Sequence, residues 1–157
     1  LSEPKSRIWL IGGYITGTIA EYLCHHLQAI RAQVSLLRPM PNTWADMLVD
    51  MGKNDVLVMF DIRRYWPEMQ PLAQLPQTRK ARSVLLPDQW TSPLAPLADI
   101  TLTAYTEGKS GWDTNVALMF VVDALIAALN NRDWDATKNR LERIEFLRQE
   151  LNPRPSS

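Results

Sequence analysis

One cysteine and two histidines in 157 residues leave little room for several kinds of chemistry. The single thiol, Cys24, can form no internal disulfide and no thiolate metal cluster, and it points to a reducing compartment, the cytoplasm. It reads as a small buried side chain rather than a nucleophile. His25 and His26 are adjacent in a helical stretch, where neighbouring positions face different ways, so they do not share a metal. One is expected to pack on a neighbour and the other to be solvated. Charge of one sign is also missing. Seventeen Lys and Arg balance seventeen Asp and Glu, which leaves no basic excess to release counterions from a nucleic acid. No apolar run approaches the roughly 18 residues of a membrane span; residues 116–129 come nearest and are interrupted by Asp123. A signal-peptide pattern, an internal repeat, a Ser-His-Asp set and any cofactor or metal motif are absent as well.

What is present suits a single globular domain. Hydrophobic residues make up 46% of the chain, enough at this length to close a core. Residues 1–6 read as a linker, 7–151 as the domain and 152–157 as a disordered tail. The leading leucine suggests a piece of a longer polypeptide. Short apolar runs at residues 7–11, 33–37, 55–60, 82–86 and 100–103 read as strands. Between the first two, residues 16–30 put Ile19, Leu23, Leu27 and Ile30 on one helical face. Trp44, Met47, Leu48 and Met51 suggest a helix that Gly52 stops. Another helix begins near Tyr65, with Pro67 in its first turn. Two long helices close the chain: residues 113–129 and, after an N-cap at Asn131 or Asp133, residues 134–151. In the second of these Leu141, Ile144, Leu147 and Leu151 form one apolar stripe, while Trp9 and Trp134 read as core or interface anchors. This alternation predicts an α/β three-layer sandwich, a five-stranded parallel sheet with helices on both faces. In such a sheet ligands sit at the carboxyl ends of the strands.

Two strand ends carry the candidate site. GGYITGT, residues 12–18, offers Gly13, Tyr14, Thr16 and Gly17 at a helix N-terminus, an arrangement that holds anions. It matches neither G-x-G-x-x-G nor a P-loop, and any strand-to-helix turn accepts Gly and Thr on packing grounds. VLVMFDIRRYW, residues 56–66, ends a buried strand in Asp61, Arg63, Arg64 and Trp66. Arginine grips carboxylate or phosphate with a planar fork, and at most one of two adjacent arginines is expected to reach a ligand. The alternative is a structural loop in which the arginines pair with Asp61 and Glu68, or hold a dimer partner. Lys109, Ser110 and Asp113 open the fourth helix, as caps or as ligand neighbours.

The order of these pieces resembles the SIS (sugar isomerase) domain, and within it the effector domain of RpiR-type bacterial transcriptional regulators, over residues 7–151. SPLAPLAD, residues 92–99, carries the resemblance most specifically, because members carry S-P-L-A-x-x-A-D after the fourth strand. IGGYITGTIAEYL, residues 11–23, resembles their first phosphosugar loop, with Thr16 in place of the usual serine. The resemblance implies a doubly wound sheet and a homodimer that could pair into a tetramer. It also implies a small anionic ligand at the strand ends: a sugar phosphate, sugar acid or carboxylate. Family regulators carry a helix-turn-helix domain ahead of this one, through which DNA would be reached. Isomerase members add a catalytic glutamate or histidine; Glu107 could be proposed for that role, but a lone glutamate in a Gly-containing loop is usually just solvated, and without an acid–base pair the reading is of a regulator domain and not an enzyme. The second loop departs from the family pattern S-x-S-G-x-T. Asp61 replaces the first serine, Arg63 the second, Arg64 the glycine and Trp66 the threonine. Either a guanidinium grips the anion while Asp61 accepts from a hydroxyl or amine, or the loop serves dimer contacts alone. Asp88, after Pro87, stands where members often have T-D and would keep a polar wall on the pocket.

Overall fold

A computed structural model describes residues 1–3 and 5–152. Its five strands are β1 Ile8–Gly12, β2 Val34–Leu36, β3 Val56–Asp61, β4 Arg82–Pro87 and β5 Ile100–Thr101. They pair in the order β2-β1-β3-β4-β5, each pair parallel. The helices are α1 Gly17–Ile30, α2 Trp44–Leu48, α3 Met69–Arg79, α4 Val116–Arg132 and α5 Trp134–Leu151. None among the described residues is long and apolar enough to cross a membrane.

Side chains alternate across a strand, so each apolar run feeds two cores. Ile8, Leu10, Val58 and Phe60 pack with Leu23 and Leu27 of α1 and Leu118 and Val122 of α4. Trp9, Ile11, Leu57 and Met59 face the other way, onto Trp44 and Leu48 of α2 and Met69 and Leu72 of α3. The central strand β3 is buried along its whole length, which is why its sequence is continuously apolar. Each such side chain contributes about 1.5–3 kcal/mol when fully buried.

Several boundaries differ from expectation, each for a local reason. Helix α3 starts at Met69, not near Tyr65. Pro67 therefore precedes it, and Pro71 is its third residue, where no intrahelical amide bond is lost. Helix α4 starts at Val116 rather than 113; the Thr114 N–H is donated to the Thr106 carbonyl at 2.7 Å, outside the helix, and Asp113 pairs with Arg63. The cap of α5 is Asp133, whose carboxylate accepts the Ala136 N–H at 3.1 Å; Asn131 lies inside α4. Strand β5 is two residues long, yet the Leu102 and Ala104 amides extend its pairing to Leu85 and Pro87.

Arg31, at the end of α1, donates to the carbonyls of Leu1 and Glu3 at 2.6 and 2.8 Å and to that of Ser6. At the other end, only Asn152 of the predicted tail lies within the described residues. Trp9 is buried but Trp134 is half exposed, and Leu141, Leu147 and Leu151 of the predicted stripe face outward. Cys24 is buried. Both histidines are exposed; His26 packs on Tyr22 at 4.5 Å between ring centres, and His25 lies 3.7 Å from Glu21.

Candidate functional site

Parallel register brings three strand ends to one edge. Gly12 of β1 is level with Phe60 of β3, and Asp61 with Pro87 of β4. The loops leaving β1 and β3, with residues 111–115 opposite, enclose a cleft of about 420 Å³. Gly13, Tyr14 and Thr16 form one wall, Arg63 and Arg64 a second, and Trp112 and Asp113 a third.

The first loop is tighter than its two glycines reveal. A Cβ on Gly12 would come within 2.5 Å of the Thr16 backbone carbon, whereas one on Gly13 would meet nothing nearer than 3.7 Å. Gly12 is thus the position that needs hydrogen, for close approach rather than unusual torsion. Thr16 spends its hydroxyl inside the turn, accepting the Gly13 N–H at 2.9 Å and donating to the Phe60 carbonyl at 3.2 Å. Its single donor is consumed. The Gly17, Thr18, Ile19 and Ala20 amides are bonded to carbonyls of residues 13–16, so the helix start keeps little for an anion. The glycine-rich loop shapes the cleft but does not supply its charge.

The second loop supplies it. Arg63 lays its guanidinium 3.5 Å from the centre of the Trp90 ring, and its Nη2 lies 2.5 Å from Asp113 Oδ1. Its own N–H donates to Asp88 Oδ2 at 2.7 Å. The expected pairing with Asp61 or Glu68 is replaced by this one with Asp113, 50 residues away in sequence. Arg64 is exposed and has no hydrogen bond or ion pair among the described residues, although it lines the same cleft. Both arginines therefore line the cleft, Arg63 with its fork taken by Asp113 and Arg64 with its fork unpaired among the described residues.

Asp61, Trp66, Gly17 and Asp88 lie outside the cleft lining. Asp61 is buried beneath the loop, where it accepts from the Ser92 hydroxyl and, at 3.4 Å, from the Trp66 N–H. Burial raises its carboxyl above the ordinary carboxylate range, the Ser92 and Trp66 donors offset this in part, and nearby Asp88 adds to it. Asp88 is buried too, and is no pocket wall: it gathers Arg63 N–H, Tyr65 O–H at 2.8 Å and Trp90 N–H at 3.1 Å. Burial and the Asp88 hydrogen bond push the Tyr65 hydroxyl up to about 12. Trp66 packs edge-on to Trp44, 5.5 Å between centres. Trp66 and Tyr65 are loop anchors.

Sequence reasoning missed three participants. Ser92 opens the most specific motif, but its partner Asp61 stands 31 positions away. Trp90 and Asn115 sit in unremarkable contexts. The Asn115 Oδ1, in the residue just before α4 and at the cleft, is buried without a hydrogen-bond partner among the described residues. Glu107 is exposed, outside the cleft lining, and accepts from Tyr105 at 2.9 Å. Lys109 and Ser110 do not cap α4, whose N-cap is Asn115. No metal-binding group of three or more His, Cys, Asp or Glu residues occurs among the described residues.

Known structures share this architecture. The sugar isomerase domain of an RpiR transcription factor from Sphaerobacter thermophilus aligns with a TM-score of 0.83 at 22% identity, covering 90% of this chain and 79% of that one. The NanR protein of Vibrio vulnificus, complexed with ManNAc-6P, aligns at 0.78 with 19% identity, over 98% of this chain and 59% of that one. At these identities the likeness is one of fold. No curated protein matches the sequence. The family model of the SIS domain matches residues 1–128, through the sheet, the cleft loops and most of α4, and the chain belongs to the SIS domain family.

Proposed function

We propose that the chain is the ligand-sensing, dimer-forming part of a cytoplasmic transcriptional regulator. A small anionic metabolite binds in the cleft and acts through the dimer on a helix-turn-helix DNA-binding domain that precedes this segment. The observation that carries this reading is Arg64, a guanidinium at the carboxyl edge of the sheet with no partner among the described residues. Asn115, on the same cleft, offers its side-chain amide to a ligand hydroxyl or amine. A sugar phosphate, sugar acid or hydroxylated carboxylate has both groups. The RpiR transcription factor and the NanR–ManNAc-6P complex, similar in fold, support the pairing of such a domain with regulation and with a sugar phosphate. Ligand binding shifts the dimer only by as much as its affinities for the two arrangements differ.

An isomerase would need an acid–base group placed at a sugar carbon, and the exposed Glu107, tied to Tyr105, is a poor one. The test is a thermal-shift screen against sugar phosphates, sugar acids, amino sugars and small carboxylates. A binder at 100 times its dissociation constant stabilises the fold by about 2.7 kcal/mol. Arg64→Ala should abolish the shift while leaving the unliganded melting temperature unchanged. A panel without hits, or hits that survive Arg64→Ala, would overturn the reading.

A further inference from the structure

Asp113 already does to Arg63 what an anionic ligand would do. Its Oδ1 lies 2.5 Å from Nη2 and its Oδ2 3.4 Å from Nε, so the carboxylate meets the guanidinium fork side-on, the approach a phosphate or carboxylate takes. Arg63 is held from two further sides, by the Trp90 ring under its guanidinium and by Asp88 on its backbone N–H. Following a ligand elsewhere would cost it the stack. Asp113 is less constrained: it belongs to residues 107–115, which contain no helix or strand. Arg64 stands on the same wall with its fork unused.

We infer that Asp113 is a built-in competitor for the ligand's anionic group. The incoming anion takes the Arg63 fork together with Arg64, Asp113 is displaced, and residues 107–115 are released with it. This rests on the cleft being an anion site and adds what the anion must exchange for. A single ligand carboxylate replaces Asp113 like for like and gains little from Arg63. A group with three acceptor oxygens and a second negative charge spans both guanidinium groups, so the exchange selects phosphate-type anions over lone carboxylates.

Inorganic phosphate at constant ionic strength is the probe, titrated into the full chain and followed by tryptophan fluorescence. Trp90 under Arg63 and Trp112 beside Asp113 place reporters at the exchange. Asp113→Asn keeps the shape and removes the charge, and should tighten phosphate binding about two- to fivefold, the factor a partly exposed ion pair is worth. Glu107→Gln removes an acid of the same sign that acts on Arg63 only through space, and should change binding less. Hydrogen exchange gives the second reading: phosphate should speed exchange of the 107–115 amides in the parent, and Asp113→Asn should show that faster exchange without phosphate. Equal or weaker binding by Asp113→Asn, or unchanged or slower exchange in 107–115 on adding phosphate, would overturn the proposal. Arg64→Ala separates the two levels. Phosphate binding that needs Arg64 but is indifferent to Asp113 would keep the anion cleft and reject the exchange, whereas no binding in the parent or in Asp113→Asn would reject both.

Discussion

Asp61 shows what one residue's neighbours do to its chemistry. In sequence it stands two positions before a pair of arginines, and reads as a ligand residue or as one half of a surface ion pair. In the fold those arginines turn to the cleft, and Asp61 is left buried with Ser92 and Trp66 as donors. Burial dominates, so its carboxyl titrates above the ordinary 3.8. Between 3.8 and the raised value the folded protein holds a proton that the unfolded chain has lost. Stability therefore falls as pH rises through that interval and stays lower above it. Asp61→Asn has no such proton, and any loss from its altered hydrogen bonding is independent of pH. Urea unfolding from about pH 4 to about pH 7 should show the variant gaining on the parent as pH rises, then running parallel to it. A constant gap would mean that Asp61 titrates at its ordinary value, and a gap moving the other way that its donors outweigh its burial.

Elements were legible wherever their cause was local. The run of residues 56–60 announced a doubly buried strand, and the spacing of Ile19, Leu23 and Leu27 announced the buried face of α1, because periodicity alone decides those. Starts and stops set by distant partners were not. Helix α4 begins only after Thr114 has given its N–H to the Thr106 carbonyl and Asp113 its carboxylate to Arg63, and no helical period around residue 113 contains that information. The glycine pair at 12–13 is similar: sequence shows two glycines, while the fold needs the first. The cleft was readable as a place, from the parallel sheet, but not as an arrangement, since Thr16, Asp61 and Asp88 were each claimed by a neighbour in space. The α5 cap lay between. Asn131 and Asp133 were both admissible, and the choice fell to Asp133, whose carboxylate reaches the Ala136 N–H at 3.1 Å. Replacing it with alanine should cost about 1 kcal/mol in urea unfolding, and Asn131→Ala, in the last turn of α4, much less. Equal losses would mean that the helix entry is held by packing instead of by the cap.

At the scale of the whole molecule, the two closing helices expose apolar side chains in unlike surroundings. On α5, Phe146, Leu147 and Leu151 are exposed, but Glu142, Arg143, Glu145 and Arg148 are interleaved with them. On α4, Val116 and Phe120 are 76% and 73% exposed in one chain, and residues 116–122 carry no charge. The core of a stable interface is depleted in charge and enriched in aromatic residues, so the α4 face is the better candidate for the proposed dimer and the α5 face for any pairing of dimers. The α4 face also joins the cleft directly, since Asn115 and Trp112 line the cleft and Val116 begins the helix. A ligand that displaced residues 107–115 would therefore act on the first turn of the interface helix, which is the differential contact that sensing requires. Sedimentation should give a species of twice the 18.0 kDa chain mass. Phe120→Asp should bring it toward a single chain at micromolar concentration with its circular dichroism intact, and Leu147→Asp should leave the dimer standing. Should Leu147→Asp be the variant that dissociates, the interface lies on α5, outside the span matched by the family model, and the cleft would need a longer route to reach it.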